Sequence, residues 1–229
     1  MSIAENLKRV QNQIADAATK AGRTVDDVTL VAVSKTWPVS DIAEAVEAGQ
    51  LVFGENKVQE LLEKVPQMPD ALEWHLIGHL QSNKTRKVLP LCGMIHSVDS
   101  VKLAQQIDRI AGELDLRPKV LLQVNVANDD AKFGFPVGVV KEEIEGLLDL
   151  ENLSIEGLMT VPAYQEDPEE VKPFFSRLRE LRDELVDVSG FGLPVLSMGM
   201  SHDFSVAIEE GATHVRVGSS IFGARNYSA

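Results

Sequence analysis

Val28-Thr-Leu-Val-Ala-Val-Ser34 runs directly into Lys35 and is followed by Ile42, Ala45, Val46 and Ala48 at helical spacing. A short, almost continuous apolar run reads as a strand buried on both faces, and the change of period after it reads as a crossover helix. The unit recurs along the chain. Comparable runs lie at Leu51 to Gly54, Trp74 to Gly78, Met94 to Val98, Lys119 to Val126, Leu153 to Met159, Val195 to Gly199 and Thr213 to Gly218. Between two of them, Val101, Leu103, Ala104, Ile107, Ile110, Ala111 and Leu114 repeat at helical intervals. Ser40 and Ser100 precede helical stretches and suit N-caps. Upstream, Ile3, Leu7, Val10, Ile14, Ala17, Ala18 and Ala21 form the apolar face of a helix that Gly22 ends. An N-terminal helix followed by eight strand-helix units predicts an α/β protein, a single (β/α)8 TIM barrel over residues 1–229. A doubly wound open sheet is the alternative, but no G-x-G-x-x-G turn follows the first strand.

Composition narrows the function. The 229 residues are 44% hydrophobic and 25% charged, which suits a folded domain with a substantial core. With 22 Lys and Arg against 35 Asp and Glu, the formal charge is −13, and such a field repels nucleic acid and anionic membrane surfaces. No apolar run approaches the ~20 residues of a membrane helix, so a cytoplasmic location and no membrane partner are expected. The single cysteine, Cys92, offers neither an internal disulfide nor a Cys-based metal site.

A TIM barrel carries its working groups at the C-terminal ends of the strands. Those positions hold Lys35, Glu55-Asn56, His79, Asp99, Asn125, Thr160, Met200-Ser201-His202 and Arg216-Val217-Gly218-Ser219-Ser220. An ammonium at the end of an apolar strand is partly desolvated, so more of Lys35 is nucleophilic amine able to form an imine with an aldehyde. On this residue alone, a head that snorkels to the barrel mouth or pairs with a carboxylate is the favoured reading. Gly218-Ser219-Ser220 leaves a strand with small residues and hydroxyls. It reads either as a turn or as a phosphate cradle at a helix start, with the Ser201 hydroxyl added from the neighbouring loop. Arg216 lies inside an apolar strand and needs a partner, either a carboxylate or the ring nitrogen of a bound heterocycle. Glu55 and Asn56 either orient a ligand hydroxyl or cap the helix through Val58 and Leu61. His75 and His79 suit core or rim hydrogen bonding, and His96, His202 and His214 lack metal-ligand spacing.

Several blocks together resemble a known family. Val31-Ala-Val-Ser-Lys35, Phe53-Gly-Glu-Asn-Lys-Val-Gln-Glu60, Trp74-His-Leu-Ile-Gly-His-Leu-Gln-Ser-Asn-Lys84, Gly157-Leu-Met-Thr160, Leu196-Ser-Met-Gly-Met-Ser201 and Val215-Arg-Val-Gly-Ser-Ser-Ile-Phe-Gly223 are similar to the pyridoxal phosphate homeostasis proteins. The resemblance implies a barrel like the N-terminal domain of alanine racemase. It implies pyridoxal 5′-phosphate (PLP) held as a Schiff base on Lys35, with phosphate contacts from Ser201, Gly218 and Ser219. It further implies Arg216 at the pyridine nitrogen and Asn56 and Met200 lining the cofactor. Ser219 and Lys57 stand where many relatives carry Thr and Arg, which keeps a hydroxyl and a cation in place.

The family resemblance points to a role in PLP homeostasis, buffering or delivering the cofactor to PLP-dependent apoenzymes without strong turnover, and the lack of sequence for a second domain points to a monomer. The alternative is a low-efficiency PLP-dependent racemase or decarboxylase, which would need a second acid/base such as Tyr164 or Tyr227. A barrel aldolase acting on a sugar phosphate through Lys35 is a third reading.

Overall fold

The computed structural model describes residues 1–129 and 132–224. Tyr227 lies outside them. The N-terminal helix α1 (Ile3–Lys20) opens on a capping box between Ser2 and Glu5. It ends where Gly22 takes a φ of +67°. There the Arg23 N–H reaches back to the Ala18 carbonyl at 2.8 Å, closing the last turn as glycine allows.

Eight strands then form a closed parallel barrel. They are β1 (Thr29–Val33), β2 (Val52–Glu55), β3 (Glu73–Leu76), β4 (Met94–Val98), β5 (Lys119–Asn125), β7 (Ser154–Met159), β8 (Val195–Met200) and β9 (His214–Val217), with a two-residue β6 (Phe135–Pro136) added beside β5. Every pairing is parallel, and the β1–β9 and β4–β5 contacts close the ring. The helices α2 (Val39–Glu47), α3 (Val58–Lys64), α4 (Thr85–Val88), α5 (Val101–Glu113), α6 (Val137–Leu148), α7 (Lys172–Ser189), α8 (Phe204–Glu209) and α9 (Ser219–Phe222) follow the strands as crossovers or as a final cap. The TIM-barrel expectation and the N-terminal helix are both met. β6 carries no periodic signal in the sequence, because two residues cannot show one.

Local capping corrects one expectation. Ser100 caps α5 by accepting from the Leu103 N–H at 3.3 Å. Ser40 does not cap α2; that helix starts at Val39 with Pro38 in the capping position, and the Ser40 hydroxyl donates to Asp41 instead. Proline already supplies the fixed φ that a helix entry needs.

Apolar side chains divide into two clusters. The larger one packs the sheet against the surrounding helices, with Phe53, Leu76, Ile107, Phe175 and Leu196 fully buried in it. The smaller joins Met94, Leu121, Met159 and Val195 inside the barrel. Side chains alternate along a strand, so His96, two residues after Met94, and Ser197, two after Val195, share that interior. Its upper part is therefore polar. Cys92 packs partly buried on the main core, and burial of its thiol pushes its pKa up to about 12, which leaves it an unreactive hydrophobe.

β7 and β8 approach too closely for a side chain at Gly157, where a Cβ would stand 1.9 Å from the Val195 carbonyl oxygen. Gly157→Ala must open that pairing. Its urea midpoint should fall by the equivalent of about 3 kcal/mol at unchanged slope; an unchanged midpoint would show that the barrel has slack here.

Candidate functional site

The chain leaves β1 through a tight turn, Ser34-Lys35-Thr36-Trp37, closed by the Trp37 N–H to the Ser34 carbonyl at 3.1 Å. Lys35 occupies its second position, half-buried at the C-terminal mouth of the barrel. Thr36 has a φ of +70°, a left-handed conformation that costs a β-branched residue of order 1–3 kcal/mol.

That strain is held from α3. Glu60 Oε2 accepts from the Thr36 N–H at 2.7 Å and from Lys64 Nζ at 2.7 Å. Lys64 spends its other donors on Glu55 Oε1 at 2.7 Å and the Ser34 carbonyl at 2.9 Å, and the Ser34 hydroxyl donates to Glu55 Oε1 at 2.7 Å. Glu55 is fully buried. Burial is the largest influence on it and raises its pKa, offset only in part by Lys64 and Ser34. Burial also raises Glu60, but the bonds from Lys64 and the Thr36 amide outweigh it and hold that carboxyl below its usual range. Capping does not explain Glu55 or Asn56. Lys57 occupies the capping position of α3 without a side-chain bond, and Asn56 Oδ1 is buried with no partner among the described residues.

On the opposite side of the mouth, the loops after β8 and β9 are tied together. The Gly218 N–H donates to the Ser201 hydroxyl at 3.0 Å, and the Ser220 hydroxyl donates to the Ser201 carbonyl at 3.3 Å. Asp203 Oδ1 accepts from the Met200 N–H at 2.6 Å and fixes the preceding turn. A Cβ at Gly218 would lie 3.2 Å from the Val33 carbonyl oxygen, so this glycine lets the β9 loop press against the end of β1. Ser219 starts α9, whose first N–H groups have no partner within the helix.

Arg216 stands one turn below, pairing in register with Val31 and Met200. It is 4% exposed, and burial pulls its pKa down to about 10, which leaves it charged at neutral pH. Its hydrogen-bond partners are neutral: the Ser197 hydroxyl accepts at 2.6 Å and the Thr160 carbonyl at 2.8 Å. Of the two partners expected from the sequence, a directly bonded carboxylate is not the one used. A guanidinium has five N–H donors, and two are engaged here.

The structure thus brings Lys35, Met200, Ser201, Arg216, Gly218 and Ser219 to one end of the barrel. Asn56 joins them from the β2 loop, where it lines a cleft of about 340 Å³ with Lys57, Gln59, His79, Gln81 and Lys84. A larger cavity of about 540 Å³ lies against α1, bounded by Lys8, Asn12, Val25 and Leu30, and none of these strand-end groups borders it. His79 bonds Asp99 at the rim and stacks on Phe133, while His75 is buried, as core and rim roles require. The Glu60–Lys64 pair went unread although its i, i+4 spacing is visible in the sequence. So did the gathering of His75, His96 and His214, whose rings lie within 6.0 Å of one another.

This barrel and strand-end arrangement belong to a defined class. Residues 5–226 match the family model of the alanine racemase N-terminal domain. The solved alanine racemase of Clostridium difficile 630 superposes with a TM-score of 0.76 at 17% identity, covering 98% of this chain and 58% of that one, a likeness of fold. Closer relatives cover both chains almost completely. The pyridoxal phosphate homeostasis proteins of Aquifex aeolicus and Escherichia coli K12 are 46% and 39% identical, over 99% of this chain and 100% and 98% of theirs. PipY of Synechococcus elongatus PCC7942, solved with PLP bound, is 41% identical with a TM-score of 0.85, over 97% of this chain and 100% of that one. The chain belongs to the pyridoxal phosphate homeostasis protein family.

Two measurements follow from the buried charges. Lys64→Met leaves Glu55 without its cation, so unfolding should become easier by about 3–5 kcal/mol at neutral pH. The deficit should shrink in acid as Glu55 takes a proton; a deficit independent of pH would contradict the pairing. Burial holds the His214 imidazole at about 4, below its ordinary 6.5, so the folded chain resists a proton that the unfolded chain accepts. Its contribution is complete above about pH 6.5 and is lost towards 4, at ~1.4 kcal/mol per pH unit. A Tm profile of His214→Asn should therefore be flatter than wild type across that window.

Proposed function

We propose that this chain binds PLP at the C-terminal mouth of its barrel and serves PLP homeostasis, buffering the cofactor or handing it to PLP-dependent apoenzymes. The observation that carries this reading is the closeness of the two loops. Gly218 against Val33 sets the serine-rich helix start of α9 beside the Lys35 turn, with Arg216 beneath both. A lysine amine, a serine-rich helix start and a buried cation then lie at one end of the barrel, the set of groups an aldehyde bearing a phosphate would need. Asn56 Oδ1, buried without a donor, fits a ligand hydroxyl.

In this reading Lys35 is the residue that would hold PLP by its aldehyde carbon, as an imine formed with loss of water. Ser201, Gly218 and Ser219 receive the phosphate, and Met200 and Asn56 line the ring. Arg216 donates to the ring nitrogen and, because it keeps its proton, holds that nitrogen unprotonated. When bound, PLP supplies an electron sink for carbon acids, and a neutral ring nitrogen weakens it.

The same feature separates carriage from catalysis. Racemase chemistry requires a second acid/base fixed across the ring from the lysine. Tyr164 is 72% exposed and lies against His202, with ring centroids 5.2 Å apart, an open setting for such a role. These features support carriage over turnover, and a monomer in the cytoplasm is part of the same proposal. No helix among the described residues is long and apolar enough to cross a membrane.

Purified protein mixed with PLP should show a visible absorption band above that of free cofactor, trapped by borohydride, and Lys35→Ala should lose it. Incubation with single amino-acid enantiomers should show negligible racemisation and CO2 release. Turnover at ordinary enzyme rates, abolished in Lys35→Ala, would replace the carrier by the racemase or decarboxylase reading.

A further inference from the structure

Arg216 is the upper end of a hydrogen-bond column that runs down the barrel interior to the opposite face. Ser197 Oγ lies 2.6 Å from Arg216 Nη1 and 2.9 Å from His96 Nδ1. His96 Nε2 lies 2.9 Å from His75 Nδ1, and His75 Nε2 lies 3.1 Å from Glu73 Oε1. The first three of these residues below Arg216 are essentially inaccessible, with Ser197 and His96 at 0% and His75 at 1% exposure. Glu73 begins β3 and its side chain is 46% exposed, so the column reaches water only there.

Donor and acceptor counting gives the column one direction. The His75 bond is the largest influence on Glu73 and holds its carboxyl below the usual range. An ionised carboxylate only accepts, so His75 Nε2 carries a proton. Burial keeps His96 neutral, its pKa well below the ordinary value. If His75 Nδ1 accepts, His96 Nε2 donates, His96 Nδ1 accepts from the Ser197 hydroxyl, and the Ser197 lone pairs face Arg216. Every polar atom is then used once. In the reverse arrangement His75 is a cation, and both His96 and Arg216 donate to Ser197, which leaves the serine proton without an acceptor in the column. It would also place that cation beneath Arg216, with His214 and Lys119 close by and, among the described residues, Glu73 and Asp203 as the carboxylates named against these groups.

We propose that Glu73 is a second, remote counter-charge of Arg216 besides Asp203, transmitted by His75, His96 and Ser197 as positioning residues through a hydrogen-bond chain of fixed polarity. Each bond dipole presents its lone-pair end upward, so the buried guanidinium receives a negative field from a carboxylate it does not touch. The chain also confines Arg216 Nη1 to one direction and aims the remaining N–H groups. Acid that protonates Glu73 removes that polarity. The aim of Arg216 at a cofactor ring rests on the function proposed above, whereas the polarity of the chain does not.

The test uses the full-length protein labelled with 15N-histidine and no added cofactor. Long-range 1H–15N spectra should show His75 and His96 neutral and protonated on Nε2. Glu73→Ala should convert His96, which Glu73 does not contact, to a mixture of tautomers. Glu73→Gln should restore the wild-type pattern, because its amide oxygen accepts from His75. Ser197→Ala should leave both tautomers intact, since direction is imposed from the Glu73 end, and with PLP present it should weaken retention by roughly tenfold through the loosened Arg216. An Nδ1-protonated or cationic His96 in wild type, or a His96 signal indifferent to Glu73→Ala, would overturn the chain. Correct tautomers in a protein that shows no visible band with PLP would uphold the chain and defeat the cofactor reading alone.

Discussion

A guanidinium inside a barrel is the constraint around which the rest of this interior is arranged. Leaving it unpaired would cost several kcal/mol, and lining the barrel wholly with Val, Ile and Leu would do that. The interior is accordingly split. Met94, Leu121, Met159 and Val195 make the apolar cluster, while Ser197, His96 and His75 descend beside it to Glu73. Bonding a carboxylate directly to Arg216 would neutralise it locally and satisfy donors that the mouth of the barrel can otherwise use. Neutral partners below leave its charge available above.

The Lys35 turn follows the same rule with different groups. Lys64 is buried and charged, and all three of its donors face carboxylates or a carbonyl on the helix side of β1 and β2. The result is a strained Thr36 held by an ion cluster that never enters the mouth. On the Lys35 side, the groups that set geometry lie outside the space where a ligand would be held, whereas on the other side Ser201 and Gly218 both tie the loops and border it. Such separation lets the mouth be open while its walls stay rigid, which is what repeated loading and release of a small molecule needs.

The barrel was legible because a parallel strand buried on both faces writes itself as an apolar run, and Val28 to Ser34 and its seven counterparts each do so. The strand-end residues followed from that reading, since the fold itself says which end works. Three things were hidden for separate reasons. Ser40 looks like an N-cap, but Pro38 two residues earlier already occupies the capping position and the helix begins at Val39. Asn56 suits a cap as readily as a ligand contact, yet the backbone turns at Lys57 and leaves its oxygen buried and without a partner among the described residues. His75, His96 and His214 are far apart in the sequence, and only the closure of β3, β4 and β9 into one ring brings them together. Strand parity held the missing signal, because His75 follows Glu73 by two residues and Arg216 follows His214 by two, each pair on one face.

Net charge adds a last constraint on what the mouth can do. At −13 the chain as a whole repels an anion such as a phosphate ester, so capture depends on a local reversal of sign. Lys35 and Arg216 supply it within the barrel, and Lys57 and Lys84 border the adjoining cleft. For a carrier this opposition is useful. Short-range cations and oriented amides would hold the proposed ligand once it arrives, while the long-range field would lower the cost of its departure. An enzyme that must guard a carbanion gains more from enclosure than from such a balance. In the proposed function the charge distribution would therefore favour exchange over confinement, which is the same direction in which an Arg216 charged at neutral pH would move the chemistry of the ring.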